Sequence, residues 1–219
     1  MSARVVCRCA FQLSLVMVML MAFSVSTLAQ PVARFAPLTP PVVSARSVYV
    51  IDATSGTELL ALNPDDPLPP ASLTKIVAAL VILDDMNLEE VITIEESDLV
   101  SPEESQVGLQ AGDELRARDL LYGMLIPSGN DATRALARTI GSQHVDEGAS
   151  AEDAIAAFVN LMNAKAVALG ANASHFVTPT GMDAPGHVMS ARDVATVTTA
   201  ALKNPIFSEI VAMPSAVLV

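Results

Sequence analysis

The segment that most constrains the fold is an apolar run that directly follows two prolines. From Ala71 to Leu83 the chain is almost wholly aliphatic, and its only charged side chain is Lys75. A helix that is apolar on all sides is stable only when other elements surround it. The preceding stretch, Asn63 to Pro70, contains four prolines and cannot be helical. We therefore predict a buried helix that begins at Ala71.

Shorter patterns predict the remaining elements, and helices dominate. Two β-prone runs, Ser47–Asp52 and Glu58–Leu62, flank Gly56 and favour a β-hairpin, and Val91–Ile94 favours a short strand. Further helices are predicted at Arg118–Ile126, Asp131–Ile140, Ala151–Leu169 after Ser150, and Ser190–Lys203 with Ser190 as the N-cap. These patterns predict a mixed, helix-rich α/β domain without internal repeats.

The first 29 residues have the layout of a secretory signal peptide. Arg4 and Arg8 form a short basic start, and the sixteen residues Ala10–Val25 contain no charge. The small side chains of Thr27 and Ala29 stand where a signal peptidase cleaves, which predicts cleavage after Ala29. An uncleaved membrane anchor is the alternative, although the apolar run is shorter than the roughly 20 residues that a membrane span requires.

The predicted cleavage defines three segments of the chain. Residues 1–29 form the signal peptide, residues 30–43 a proline-rich linker, and residues 44–219 the folded domain. Both cysteines, Cys7 and Cys9, would leave with the signal peptide, so the remaining chain could form no disulfide. This pattern is typical of an exported bacterial protein, and we expect it in the periplasm or on the extracytoplasmic face of the cell envelope.

The chain is acidic, with 24 Asp and Glu against 12 Lys and Arg and a formal net charge of −12. This balance excludes a nucleic-acid-binding protein, which needs a basic face to neutralise phosphates. Between residues 89 and 104, seven carboxylates meet no basic residue in the sequence. We interpret this stretch as a solvated face, with a metal site as the alternative.

Ser72 and Lys75 are the first candidates for a reactive pair. Their spacing places both side chains on one face of the predicted helix, close enough for a proton to pass between the hydroxyl and the amine. The prolines place Ser72 in the first turn, where free backbone N–H groups would favour an oxyanion. A desolvated lysine can lose its proton, whereas an arginine essentially cannot. The alternative is a helix-capping serine beside a lysine whose ammonium group reaches solvent.

A second candidate is the turn Pro127-Ser128-Gly129-Asn130, which lies between two predicted helices. Its proline and glycine favour a tight turn that aims the Ser128 hydroxyl and the Asn130 carboxamide in one direction. Such groups could pass on a proton and hydrogen-bond a substrate amide. In the alternative interpretation, Ser128 or Asn130 only caps the following helix.

Four motifs together resemble one family. They are Ser72-Leu-Thr-Lys75, Ser128-Gly-Asn130-Asp-Ala132, Phe176-x-x-Pro179-x-Gly181-Met182 and His187-x-x-Ser190-Ala-Arg-Asp193, in the order and register of the low-molecular-mass penicillin-binding proteins. From about Ser44 to Ile206 the chain closely resembles their D-alanyl-D-alanine carboxypeptidases, serine peptidase family S11. The resemblance implies the β-lactamase/DD-peptidase-like fold.

The resemblance also implies a role for each residue of the first two motifs. Ser72 would be the nucleophile that attacks the carbonyl between the two terminal D-alanines of a peptidoglycan stem peptide, which forms an acyl-enzyme. Lys75 would be the general base, Ser128 would relay a proton to the leaving D-alanine, and Asn130 would orient the substrate and the base. β-Lactams would acylate Ser72 in the same way. No metal or organic cofactor is implied.

The chain departs from the family pattern in one element. Its 219 residues contain no Lys-Thr-Gly, an element whose lysine and threonine hold the terminal carboxylate of the substrate in the family. We therefore expect a C-terminally truncated chain whose fold is incomplete and lacks the C-terminal strands of the antiparallel sheet. Such a chain would show little carboxypeptidase turnover, and membrane association would be possible only through the missing C-terminal region.

Two other functional classes remain as alternatives. The first is a non-catalytic fragment that binds peptidoglycan or another envelope partner. The second is a relative such as a β-lactamase or an endopeptidase, although the sequence reveals no glutamate loop of the kind that deacylates β-lactamases. A zinc carboxypeptidase is less favoured, because His144, His175 and His187 lack metal-ligand spacing.

Overall fold

The computed structural model describes residues 41–218 of the chain. The predicted signal peptide, residues 1–29, and residues 30–40 of the predicted linker lie outside this described part. The secondary structure lies in one compact unit that begins at Val42. Within residues 41–218, no helix combines the length and the apolar character needed to cross a bilayer.

Six α-helices and four short strands follow one another in the described residues. The strands are β1 (Val48–Ile51), β2 (Glu58–Leu62), β3 (Val91–Thr93) and β4 (Glu114–Arg116). The helices are α1 (Thr74–Asp85), α2 (Ala117–Leu125), α3 (Asn130–Gly141), α4 (Ala151–Leu169), α5 (Ala191–Ala201) and α6 (Pro205–Val211). Short 3-10 turns occur at Ala71–Leu73, Glu96–Asp98 and Ser142–His144. The helix-rich α/β composition predicted from the sequence is confirmed.

Helix α1 lies at the centre of the core, as its apolar sequence predicts. Ala78 and Ile82 are fully buried, and the helix contacts α2, α3, α4 and α5. The prediction that the helix begins at Ala71 is wrong, because residues 71–73 form a 3-10 turn and the α-helix begins at Thr74. Ala71 has a φ of +49°, which lies outside the right-handed helical region and explains the separate turn.

The other predicted helices are confirmed, with ends that differ by two residues at most. Helix α4 has the predicted bounds, and the Ser150 hydroxyl accepts from the Asp153 N–H in a capping box. Ser190 caps α5, as predicted. Strand β4 and helix α6 are additional elements. Asn204 caps α6 and Pro205 is its first residue, a helix-start signal that is present in the sequence.

The strands form two small antiparallel sheets. β1 pairs with β2 in the predicted hairpin, with Val48 opposite Leu62, and Gly56 has the predicted positive φ, at +73°. β3 pairs with β4, with Ile92 opposite Leu115. Within residues 41–218, β1 and β2 pair with no third strand.

The acidic stretch between residues 89 and 104 is mostly the predicted solvated face, because five of its seven carboxylates are exposed and Glu104 is half-buried, but this interpretation is wrong for Asp98. Arg138 of α3 donates to Asp98 at 2.7 Å and to Glu95 at 2.8 Å, and Asp98 is fully buried. Arg118 of α2 pairs with Glu89 at 3.0 Å. The basic partners come from helices that follow the stretch, so the local charge pattern could not reveal them. In the described part of the chain, no three His, Cys, Asp or Glu side chains form a group that could hold a metal ion.

Candidate active site

Ser72 is exposed and lies in the 3-10 turn that precedes α1. The turn has an unusual backbone conformation, since Ala71 has a φ of +49°. Gly181 packs directly against it, and a Cβ at position 181 would lie 1.9 Å from the Ala71 carbonyl oxygen. Gly181 itself has a φ of +89°, so both its conformation and its contact require glycine. The loop that contains Gly181 therefore fixes the backbone that carries Ser72.

Lys75 is the centre of the site. It is 3% exposed, and four oxygen atoms lie within hydrogen-bonding distance of its Nζ, which has at most three N–H groups to donate. These acceptors are Ser72 Oγ at 3.3 Å, Ser128 Oγ at 3.2 Å, Asn130 Oδ1 at 2.7 Å and the Thr180 carbonyl oxygen at 3.0 Å. The structure thus brings together all four residues that the sequence motifs identify, and it adds the backbone of Thr180.

Burial changes the acid–base properties of Lys75. Its four acceptors are neutral, and no carboxylate in residues 41–218 forms an ion pair with it. Loss of solvation penalises the charged form and lowers the pKa of Lys75 to about 8, although the nearby Glu104 carboxylate opposes this shift. At pH 7, roughly a tenth of the molecules would then carry a neutral Lys75, whereas a solvated lysine is almost entirely protonated.

The turn at residues 127–130 presents both of its polar side chains to Lys75. Ser128 has a left-handed backbone with a φ of +65°, a conformation that costs a serine on the order of 1–3 kcal/mol. The N-cap residue of α3 is Gly129, and no side chain caps the helix there. The alternative interpretation, in which Ser128 or Asn130 only caps this helix, is therefore wrong.

A loop at residues 104–109 holds this turn in place. The Asn130 backbone N–H donates to the Ser105 carbonyl at 2.7 Å, and the Ser105 hydroxyl donates to the Pro127 carbonyl at 2.9 Å. The buried Asp131 carboxylate accepts from three successive backbone N–H groups of the loop, at distances between 2.9 and 3.2 Å. The sequence reveals the turn and Asp131 as parts of a motif, but it does not reveal Ser105 or the loop that holds them.

His187 connects the fourth motif to the helix that carries Lys75. It is buried, and its Nδ1 accepts from the Val177 N–H at 2.9 Å. This acceptor role places the ring proton on Nε2, which then donates to the Thr74 hydroxyl at 2.9 Å. Burial lowers the pKa of His187 and favours this neutral form. The fourth motif thus ties the loop that contains Thr180 to α1.

Three of the predicted side chains line a small cavity of about 270 Å³. Ser72, Lys75 and Ser128 form its polar part, and Met124 and Phe207 are among its apolar walls. A larger groove of about 670 Å³ lies between β1 and α5 and contains none of these three polar residues. The reactive groups, not the size of the cavity, therefore identify the candidate active site.

This arrangement can activate Ser72 as a nucleophile. A neutral Lys75 amine lies 3.3 Å from Ser72 Oγ and can accept its proton. Ser128 Oγ lies 3.2 Å from the same amine and offers the proton an onward path. In the described residues, the Ser72 backbone N–H donates to no carbonyl, so it can bind an oxygen that becomes negatively charged.

Comparison with known proteins identifies the family of the chain. A family model described as D-alanyl-D-alanine carboxypeptidase matches residues 35–216. The D-alanyl-D-alanine carboxypeptidase DacB2 of Mycobacterium tuberculosis is 38% identical over 174 residues, which make up 78% of this chain and 55% of that protein. The chain thus spans little more than half the length of this relative.

Two solved structures share the fold. The crystal structure of a D-alanyl-D-alanine carboxypeptidase from M. tuberculosis H37Rv has a TM-score of 0.72 and 36% identity, and the match covers 83% of this chain and 65% of that one. The Streptomyces K15 DD-transpeptidase has a TM-score of 0.72 and 30% identity, with 79% and 66% covered. The predicted DD-peptidase-like fold is confirmed. From its sequence and its fold, the chain belongs to the D-alanyl-D-alanine carboxypeptidase family.

Proposed function

We propose that this chain carries the acylating site of a serine-type D-Ala-D-Ala carboxypeptidase that acts on peptidoglycan stem peptides. The observation that carries the proposal is the position of Lys75, a buried amine with a pKa of about 8 that hydrogen-bonds both Ser72 and Ser128. Membership of the family supports the substrate class. No cofactor takes part in the proposed reaction.

Acylation begins with the transfer of a proton from Ser72 Oγ to the neutral Lys75 amine. The oxygen attacks the carbonyl carbon of the penultimate D-alanine, and a C–O bond forms while the carbonyl π electrons move to the oxygen. The Ser72 backbone N–H, at the amino end of the turn, stabilises that oxyanion. Asn130 holds the Lys75 amine in position through its Oδ1 at 2.7 Å.

Collapse of the tetrahedral intermediate breaks the C–N bond to the terminal D-alanine. The leaving nitrogen needs a proton, which passes from Lys75 through the Ser128 hydroxyl, 3.2 Å from Nζ. The product is an ester between Ser72 Oγ and the shortened stem peptide. Water then attacks this ester, releases the peptide and restores the Ser72 hydroxyl.

The same chemistry makes β-lactams acylating inhibitors of the site. A β-lactam presents an amide within a strained four-membered ring, and attack by Ser72 Oγ opens that ring. The leaving nitrogen stays tethered to the acyl group, so it cannot diffuse away as D-alanine does. We therefore expect a covalent penicilloyl ester on Ser72.

Export to the periplasm or to the extracytoplasmic face of the cell envelope is the second part of this proposal. Peptidoglycan lies there, and the first 29 residues have the charge and hydrophobicity pattern of a signal peptide. We assign no residue of this chain to the terminal carboxylate of the substrate, because the 219 residues contain no Lys-Thr-Gly.

Labelling with a fluorescent penicillin tests the proposed function. We expect the purified protein to be labelled covalently, and mass spectrometry of its proteolytic peptides to place the adduct on Ser72. Ser72→Ala should abolish labelling. Ser142→Ala is the matched control, because Ser142 is also an exposed serine in a 3-10 turn, and it should leave labelling unchanged.

Three results would contradict the proposal. If Ser72→Ala were folded and still labelled, another residue would be the nucleophile. If the folded wild-type protein were not labelled but sedimented with purified peptidoglycan, the alternative of a non-catalytic peptidoglycan-binding protein would replace it. Rapid turnover of the penicillin without a lasting adduct would favour a β-lactamase.

A further inference from the structure

We propose that Glu104 is a positioning residue that holds the Asn130 carboxamide in a single orientation and places a negative charge close to Lys75. The proposal rests on the proposed function insofar as Lys75 acts there as the base. Glu104 belongs to no motif and lies in the acidic stretch that the sequence presents as a solvated face. In the structure it is half-buried and reaches the site from the loop at residues 104–109.

The hydrogen bonds of Asn130 define its orientation. Its Nδ2 donates to Glu104 Oε2 at 2.8 Å, while its Oδ1 accepts from Lys75 Nζ at 2.7 Å. An ionised carboxylate can only accept, and an ammonium group can only donate. A rotation of the carboxamide by 180° would place the amide oxygen against the carboxylate and the amide NH2 against the ammonium. Both contacts would be repulsive, so the two charged neighbours select one orientation.

Glu104 matters most at the moment when the base acts. A neutral Lys75 amine has a lone pair as well as N–H groups. It could therefore accept a hydrogen bond from Nδ2 of a rotated Asn130 side chain, or donate to Oδ1 in the observed orientation. Lys75 alone therefore no longer fixes the carboxamide once it has lost its proton. Glu104 still accepts only, and it keeps Asn130 Oδ1 directed at the amine throughout proton transfer.

The backbone around Glu104 is anchored to the turn that it serves. The residue after it, Ser105, binds this turn through both its carbonyl and its hydroxyl, at 2.7 and 2.9 Å. Asp131 binds the rest of the loop through three backbone N–H groups. Glu104 therefore lies on a rigid support, as a residue that orients a reactive group requires.

The charge of Glu104 acts on Lys75 as well. The four groups that contact the Lys75 amine directly are neutral: the Ser72 hydroxyl, the side chains of Ser128 and Asn130, and the Thr180 carbonyl. Burial lowers the pKa of Lys75, and the Glu104 carboxylate partly offsets this effect because it stabilises the ammonium form. Removal of this charge should therefore make Lys75 lose its proton at a lower pH.

Two substitutions separate the effect of the charge from the effect of orientation. Glu104→Gln removes the charge but retains an amide oxygen that can accept from Asn130 Nδ2. The glutamine amide can also donate, so Asn130 loses its strict orientation once Lys75 is neutral. The plateau of the acylation rate by a β-lactam at high pH should therefore lie between those of the wild type and of Glu104→Ala, while the acid limb of the pH profile moves to lower pH. Glu104→Ala removes the charge and the acceptor, so the same shift should accompany a fall in the plateau on the order of tenfold, the equivalent of one hydrogen bond to a charged group.

Titration of Lys75 by NMR provides a readout that does not depend on activity. The 219 residues contain three lysines, Lys75, Lys165 and Lys203, so labelling of lysine with 13C at Cε gives few resonances, which single Lys→Arg variants assign. Lys75 should titrate at lower pH in both Glu104 variants than in the wild type. Glu103→Gln is the control. Glu103 is exposed and adjacent to Glu104 in the sequence, and this substitution removes one negative charge but leaves the contact between Glu104 and Asn130 in place.

The outcomes are distinguishable. Unchanged titration of Lys75 in both Glu104 variants, or changes no larger than those in Glu103→Gln, would overturn the electrostatic part of the proposal. A plateau rate in Glu104→Ala equal to that of the wild type would overturn the positioning part. If the wild type were not acylated at all while Lys75 still titrated differently in the variants, the proposed function would fail and the influence of Glu104 on Lys75 would stand.

Discussion

Gly181→Ala should damage the site through the backbone alone, because position 181 contacts the turn that carries Ser72. The new Cβ would lie 1.9 Å from the Ala71 carbonyl oxygen, 2.4 Å from the Ala71 carbonyl carbon and 3.0 Å from the Ser72 nitrogen. Cβ contacts under 3.0 Å essentially never occur, so the two backbones must separate by about 1 Å. The variant therefore displaces Ser72, the proposed nucleophile, without removing any of the proposed reactive groups.

The expected magnitude has two parts. Alanine at a φ of +89° costs roughly 1–3 kcal/mol, and the overpacking adds roughly 1–3 kcal/mol, so the free energy of unfolding should fall by about 2–6 kcal/mol. A displacement of about 1 Å between reacting groups can lower a catalytic rate on the order of 100-fold. We expect a loss of this size in the rate constant of acylation by a β-lactam, measured below the unfolding transition.

Gly186→Ala is the matched control for this prediction. Gly186 has a φ of +82°, close to that of Gly181, but the atom nearest to its added Cβ is His175 Cδ2 at 3.9 Å, an ordinary contact. This variant should lose about 1–3 kcal/mol of stability and little of its acylation rate. If the two variants acylated at the same rate, the contact between Gly181 and Ala71 would not position Ser72, and the reasoning would be refuted.

Two further predictions concern the base and a buried ion pair. The acylation rate of the wild type should rise with pH through about 8 as Lys75 loses its proton. Lys75→Arg should lower the rate by roughly 10²–10⁴-fold at every pH, because arginine stays protonated. A rate in Lys75→Arg that still rose through pH 8 would exclude Lys75 as the base. Arg138→Leu should cost about 3–5 kcal/mol in urea unfolding, because it leaves the fully buried Asp98 carboxylate without its partner. The exposed pair of Arg118 and Glu89 provides the contrast, since Arg118→Leu should cost at most about 1 kcal/mol, and equal losses would contradict this assignment.

Most of the helices could be predicted because their signals are local. The apolar run of α1 predicts a buried helix whatever the arrangement of the other elements. Ser150 and Ser190 cap their helices by accepting from backbone N–H groups only three residues away. Strand β4 carries no comparable signal. Its three residues, Glu-Leu-Arg, are polar at two positions and form a strand only because β3, more than twenty residues earlier, pairs with them.

The residues of the candidate site could be proposed from the sequence, but most of the contacts between them could not. The spacing of Ser72 and Lys75 predicts their proximity, since three residues make nearly one helical turn. The contact of Lys75 with Asn130 spans 55 residues, and that of Asn130 with Glu104 spans 26. No periodicity or charge pattern links such distant positions. Glu104 in particular stands among seven carboxylates, and nothing in that local pattern distinguishes it from its solvated neighbours.

Two turns that contact Lys75 have backbone conformations that their own residues disfavour. Sequence reasoning could not predict these conformations, because local residue preferences argue against them. Ala71 and Ser128 both have positive φ values, each at a cost on the order of 1–3 kcal/mol. Such conformations persist only where their surroundings impose them, and here Gly181 constrains Ala71 while the loop at residues 104–109 constrains the Ser128 turn. The contacts that determine the site are therefore those that hold two unfavourable turns against one buried amine. A relaxed backbone at either turn would move one hydroxyl away from Lys75, so the strain is a requirement of the proposed proton path from Ser72 to Ser128.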